Sequence, residues 1–115
     1  DREEVKEIEE ELRDRFGPLP EAVENLLSLM DLRALAAGLD IESIVQSAEG
    51  ITVGFRNSVG SARTPLQRAL GPSVSVGNNK MEISRRELGD QWQSRLTHIL
   101  ERLQVFRDRL ERVGV

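Results

Sequence analysis

Acid–base or metal chemistry in this chain of 115 residues would have to come from carboxylates, arginines and one histidine, His98, because cysteine is absent. A zinc site would then need carboxylates grouped around a single imidazole, whereas zinc sites usually draw on several histidine or cysteine ligands. Neither a G-x-G-x-x-G nor a G-x-x-x-x-G-K-[ST] phosphate loop occurs, and Gly54, Gly60, Gly71 and Gly77 fall where turns are expected. The serines lack a histidine at any persuasive spacing for a nucleophilic triad. The acids of the first 16 positions could serve as general acid and base only in a desolvated cleft, which a charged helix face does not supply. The chain is therefore read as a non-enzymatic domain, with no catalytic, cofactor-binding or metal site.

A domain without catalysis acts through its surface, and here the surface charge is uneven. The net charge is −4. Residues 1–16 account for all of it, with eight acids (Asp1, Glu3, Glu4, Glu7, Glu9, Glu10, Glu11, Asp14) against four bases (Arg2, Lys6, Arg13, Arg15). Residues 56–86 lean the other way, with Arg56, Arg63, Arg68, Lys80, Arg85 and Arg86 against Glu82. Such asymmetry can steer a partner of opposite sign, although charge runs are most often solvated faces. Arg95, Arg102 and Arg109 recur at seven-residue intervals, so a basic accessory module contacting nucleic acid is the rival reading. Net negative charge and an aromatic content of only 3% oppose it, since stacking platforms for single strands are nearly absent. Direct nucleic-acid binding is not expected.

A hydrophobic content of 38% and a charged content of 31% fit one globular domain. A chain of this size buries roughly two-thirds of its unfolded surface. No apolar run approaches the roughly 20 residues of a membrane helix. No signal-like segment opens the chain, and the lack of cysteine suits a reducing compartment, so a cytoplasmic location is expected. The sequence starts at Asp1 within a helix-forming pattern, which reads as a piece of a longer protein.

The elements that must carry these charges follow from apolar spacing. Val5, Ile8, Leu12 and Phe16 form one stripe and predict a helix over about 2–16 whose stripe faces the core. A second helix over about 20–38 is apolar around most of its circumference and is expected to be central, ending at Gly38 or Asp40. Strand patterns follow at about 41–46, 51–56, 73–77 and 80–84. Ala48-Glu49-Gly50 joins the first pair, and Asn78-Asn79, tolerant of positive φ, joins the second. Thr64 as N-cap, Pro65 at the first helical position and Gly71-Pro72 as the stop outline a helix over 65–70. A last helix over about 90–112 carries Trp92, Leu96, Ile99, Leu103, Phe106, Leu110 and Val113 at alternating spacings of four and three. That stripe could be a coiled-coil seam, but a sheet of two hairpins needs a cover, so it is expected to pack within the domain and leave a monomer. The fold class is α+β: two N-terminal helices and a long C-terminal helix packed with a small, mostly antiparallel sheet.

The corner between the first two helices is the most distinctive stretch. Phe16 closes one helix, Gly17 can take the left-handed stop, Pro18 forbids continuation, and Pro20 suits the first turn of the next. Glu11-Leu12-Arg13-Asp14-Arg15-Phe16-Gly17-Pro18-Leu19-Pro20, followed by Leu26-Leu27 and Leu32-Arg33-Ala34-Leu35-Ala36, resembles the C-terminal domain of the bacterial transcription-repair coupling factors. The resemblance covers the whole chain in element order, with its specificity in the first 41 residues. One departure is Asp40, where the family often has glycine; Gly38 is expected to take over the cap.

The resemblance implies a regulatory role within an ATP-driven DNA translocase that displaces stalled RNA polymerase and recruits excision repair. It implies that this domain clamps onto a UvrB-like module of the same polypeptide and hides the surface that binds UvrA. The family's contact residues for that docking carry over to Glu11, Asp14 and Arg15. Their i, i+3, i+4 spacing puts them on one helix face, and two acids beside an arginine suit an arginine-rich partner.

Overall fold

The computed structural model describes residues 1–114. Five helices accompany one sheet: α1 (Arg2–Phe16), α2 (Glu21–Ala37), β1 (Ile41–Ser47), β2 (Gly50–Phe55), α3 (Arg63–Leu70), β3 (Val74–Val76), β4 (Lys80–Ser84), α4 (Arg85–Leu88) and α5 (Trp92–Arg112). A 3-10 turn over Gly60–Ala62 leads into α3. The strands form an all-antiparallel sheet in the order β1-β2-β4-β3, two hairpins joined through β2 and β4.

The core lies between one sheet face and the helices. Ile51 and Val53 of β2, Val74 and Val76 of β3, and Met81 and Ile83 of β4 point inward on alternate positions. They meet Leu66 and Leu70 of α3, Leu32 and Leu35 of α2, and Leu96, Leu100 and Leu103 of α5. The α5 stripe is therefore internal, and a coiled-coil seam is not needed to cover it. Leu100, outside the four-three stripe, is also fully buried, whereas Val113 at the far end is 70% exposed.

Several expectations are corrected. Ile8 and Phe16 of the α1 stripe are exposed, and Val5 is the residue of α1 that is buried. The reason is geometric: α1 packs on α2 alone among the helices it lies against extensively, so one neighbour covers only part of its stripe. α2 sits between α1 and α5 and buries mainly its C-terminal half, with Leu26 exposed. Pro20 is the N-cap of α2, not its first turn, and its carbonyl accepts from the N–H groups of Val23 and Glu24. α3 starts at Arg63, one residue before Thr64 and two before Pro65, growing out of the 3-10 turn without a side-chain cap; Pro65 still lies in the first turn, where a missing N–H costs little. Gly50 opens β2, so the first hairpin turn is Ala48-Glu49. In the second hairpin Asn78 and Asn79 do not use positive φ. Their carbonyls instead accept from Val59 at 2.7 Å and Phe55 at 2.8 Å, which pins the turn to the sheet.

At the end of α2, Gly38 remains right-handed (φ −80°) and Asp40 takes the left-handed conformation (φ 55°). Arg107 of α5 donates to Gly38 O at 2.9 Å and to Asp40 Oδ2 at 2.8 Å. Asp40 thus does the conformational work of a glycine while anchoring α5.

The two outer strands are finished differently. The Phe55 N–H donates to Asn79 O and the Arg85 N–H to Glu49 O, so odd-numbered β2 residues bond toward β4 and even-numbered ones toward β1. By the same alternation Val74 and Val76 direct their main-chain groups off the β3 edge. The Gln67 side chain seals that edge, donating to Val74 O at 2.7 Å and accepting from the Val76 N–H at 2.9 Å. Arg63 Nε donates to Val76 O at 3.1 Å. Gln67→Ala is expected to cost about 1–3 kcal/mol, since half-buried partners lose their bonds together; urea denaturation would read it, and unchanged stability would show that water replaces the amide without loss.

Candidate docking face on α1

α1 is a strong helix at its start. Asp1 caps it, accepting from the Glu4 N–H at 2.9 Å, and Glu3 and Glu4 complement the positive end of the helix dipole. Gly17 ends it with φ 74° and an N–H to Arg13 O at 2.8 Å. The alternation of acids and bases between these caps is resolved by the fold into two sets.

One set lines the groove against α2, where Arg2, Glu9 and Arg13 are paired and, among the described residues, Glu3 and Lys6 form no ion pair. Arg2 donates to Asp31 at 2.8 Å and to Glu101 of α5 at 3.1 Å. Asp31 is the main reason its guanidinium is held protonated beyond the usual range, against the opposing effect of burial and with further help from Glu101. Arg13 bridges Glu9 at 3.0 Å and Glu24 of α2 at 3.1 Å, and both partners raise its pKa, Glu9 first.

The other set faces outward. Glu7, Glu10, Glu11, Asp14 and Arg15 line one shallow, open depression along α1. Arg15 approaches Glu11 at 3.8 Å, with side chains 69% and 72% exposed, too long and too wet to contribute much. Among the described residues Glu7, Glu10 and Asp14 form no ion pair. The three residues carried over from the family pattern are thus brought together on one exposed face. Glu10 joins them, a residue the resemblance did not mark although its i, i+4 relation to Asp14 places it there.

Other candidates are weaker. The basic residues behind the nucleic-acid reading are partly spent within the fold: Arg63 holds β3, and Arg102 donates to Leu70 O at 3.2 Å and to Ala69 O, closing the C-terminus of α3. Lys80 pairs with Glu82 at 3.4 Å. An apolar cleft of about 170 Å³ between Leu39, Phe55, Val59, Leu66 and Phe106 is small beside the roughly 300–1,000 Å³ of typical ligand sites. Among the described residues, no group of three or more histidines or carboxylates is arranged to hold a metal ion. Among the described residues, no helix is long and apolar enough to cross a membrane.

A family model described as the TRCF domain matches residues 1–64, from α1 into the start of α3. A transcription-repair-coupling factor of Borreliella burgdorferi is 36% identical over 55 residues. That match covers 48% of this chain and 5% of the relative's length, so the chain is similar to one small part of a much larger protein.

Proposed function

The chain belongs to the TRCF domain family of transcription-repair coupling factors, and from that membership we propose that it is an autoinhibitory regulatory domain. It docks through the outer face of α1 on a UvrB-like module of the same polypeptide. Docking masks the surface that binds UvrA until stalled RNA polymerase is engaged. ATP-driven translocation belongs to other parts of such a protein. This domain contributes recognition and no catalysis.

The observation that carries the reading is the sorting of charge on α1. Arg2 and Arg13 are paired with carboxylates of α2 and α5, while Glu11 stands in water with only a loose contact to Arg15 and Asp14 with none among the described residues. Two unspent carboxylates beside a guanidinium can form charge-assisted hydrogen bonds with an arginine-bearing surface. A contact of this kind is polar and modest in area, as a reversible intrachain interface should be. Tethering within one chain raises the effective concentration, so a weak intrinsic affinity is sufficient.

Glu11→Arg combined with Asp14→Arg is expected to weaken binding to the isolated UvrB-like module about tenfold or more, since like charges then oppose each other across the contact. Calorimetry at low salt reads the affinity, and circular dichroism checks that α1 persists. An affinity equal to that of the unaltered chain removes these residues from the interface. Added salt is expected to weaken the unaltered pair as exposed charges are screened.

A further inference from the structure

We propose that the free edge of β1 pairs with β1 of a second copy of this chain, antiparallel and about a two-fold axis through Val45, joining two four-stranded sheets into one. This is independent of the α1 docking face.

An edge strand is a template for another strand unless something blunts it. The β3 edge is blunted by Gln67 and Arg63; β1 carries its register irregularity and the exposed Glu42 at its start, and among the described residues no side chain bonds to the main chain of Ile44 or Gln46 beyond them. Its pairing with β2 places Ser43, Val45 and Ser47 opposite Gly54, Thr52 and Gly50, the β2 residues whose main-chain groups turn toward β1. The main-chain groups of Ile44 and Gln46 therefore point off the sheet, and among the described residues none bonds to them. Gln46 and Val45 are exposed, the latter to 55%.

The edge suits a second copy of itself. Ser43-Ile44-Val45-Gln46-Ser47 contains no charge and no proline, and its two end residues, Ser43 and Ser47, are alike about Val45, whereas Ile44 and Gln46 differ. With the axis at Val45, Ile44 of one copy faces Gln46 of the other on both sides. Each such pair exchanges two main-chain bonds, about four in all. Val45 meets its own copy as a close non-hydrogen-bonded pair, which covers an exposed valine, and serine meets serine at either end. The irregular register between Ile41 and Ser43 places Glu42 outside this stretch. Like carboxylates consequently do not meet at its centre.

A contact of five residues per copy is far below the area of stable dimers, so association is weak and the chain is monomeric when dilute. Sedimentation velocity from about 10 µM to about 1 mM is expected to show the mean mass rising toward twice the monomer value, the range set by the millimolar-to-micromolar scale of small interfaces. Gln46→Pro removes an outward N–H without touching the bonds to β2, and Val45→Lys sets two like charges at the axis. Each is expected to leave circular dichroism and the melting temperature near those of the unaltered chain and to abolish the concentration dependence. Amides of Ile44 and Gln46 are expected to gain protection from exchange at high concentration in the unaltered chain. A mean mass that stays monomeric across the range, or a dimer that persists in Val45→Lys, overturns the proposal.

Discussion

Gly50→Ala is expected to leave the chain at most partly folded, with a loss of about 3 kcal/mol or more. Gly50 opens β2 with φ 145°, a conformation that side-chain-bearing residues rarely adopt. An added Cβ there would stand 2.1 Å from Ile83 O, 2.8 Å from Arg85 N and 2.9 Å from Ser84 C. All three are main-chain atoms of the β4–α4 junction, so no side chain can swing away to make room. Relief requires β2 and β4 to part at the pair that links the two hairpins. Gly17→Ala is the useful comparison, because φ is also positive (74°) but open space surrounds the site. The ψ of Gly17, −149°, departs from the left-handed stop expected of it and lies where glycine is nearly obligatory, so the variant isolates backbone strain and is expected to cost about 1–3 kcal/mol. Urea denaturation of both variants measures the difference. Equal, small losses would show that the β4–α4 junction yields where the geometry says it is closed.

Leu100→Ala is expected to cost about 2–5 kcal/mol and to lower the melting temperature by roughly 10 °C or more. Leu100 has no exposed surface and lies in the cluster where α5 meets the sheet and the other helices. Truncation leaves a void that close-packed neighbours refill only in part. Val105→Ala on the same helix, at a side chain 50% exposed, should cost well under half as much. Calorimetric melting of the pair checks burial directly. If the two variants melt together, α5 is rotated from the orientation described.

The same helix shows how far apolar spacing carries. The four-three stripe of α5 correctly marked Leu96, Ile99 and Leu103 as inward. It missed Leu100 because α5 packs on α2, α3 and α4 around more of its circumference than a stripe implies. The error on α1 has the opposite sign. Ile8 and Phe16 have the right spacing but too few neighbours, and spacing along a helix does not count neighbours. α4 was also missed, although Ser84-Arg85-Arg86-Glu87 is a capping-box pattern and Ser84 does accept from the Glu87 N–H at 3.3 Å. Short cap signals between a strand and a long helix are easily absorbed into either. The exchange at the end of α2 was legible in part. A glycine-like position was recognised at residue 40, but Asp40 itself turns left-handed, aided by an arginine 67 residues away.

For the candidate site, the shared face of Glu11, Asp14 and Arg15 was legible from helical spacing alone. Which α1 charges remain available was not. That depends on Asp31, which lies 29 residues from Arg2, and on Glu24, which lies 11 residues from Arg13. Partners at such separations are set by how α1 crosses α2, and local pattern carries no record of it.

The anchoring of α1 has a mechanical consequence. Its buried contact, Val5, and its clasp through Arg2 lie at the N-terminal end, while the outward charges lie toward the C-terminal end, which the Arg13–Glu24 pair and the short corner at Gly17–Pro20 tie to α2. A grip on Glu11 and Asp14 therefore loads the Arg13–Glu24 pair first and the Arg2–Asp31–Glu101 clasp behind it. The load at which the domain deforms is then set by a few half-exposed ion pairs and the α1–α2 seam, well below that of the sheet. Under tension α1 would peel before the core is disturbed, and it could settle back when the tension ends.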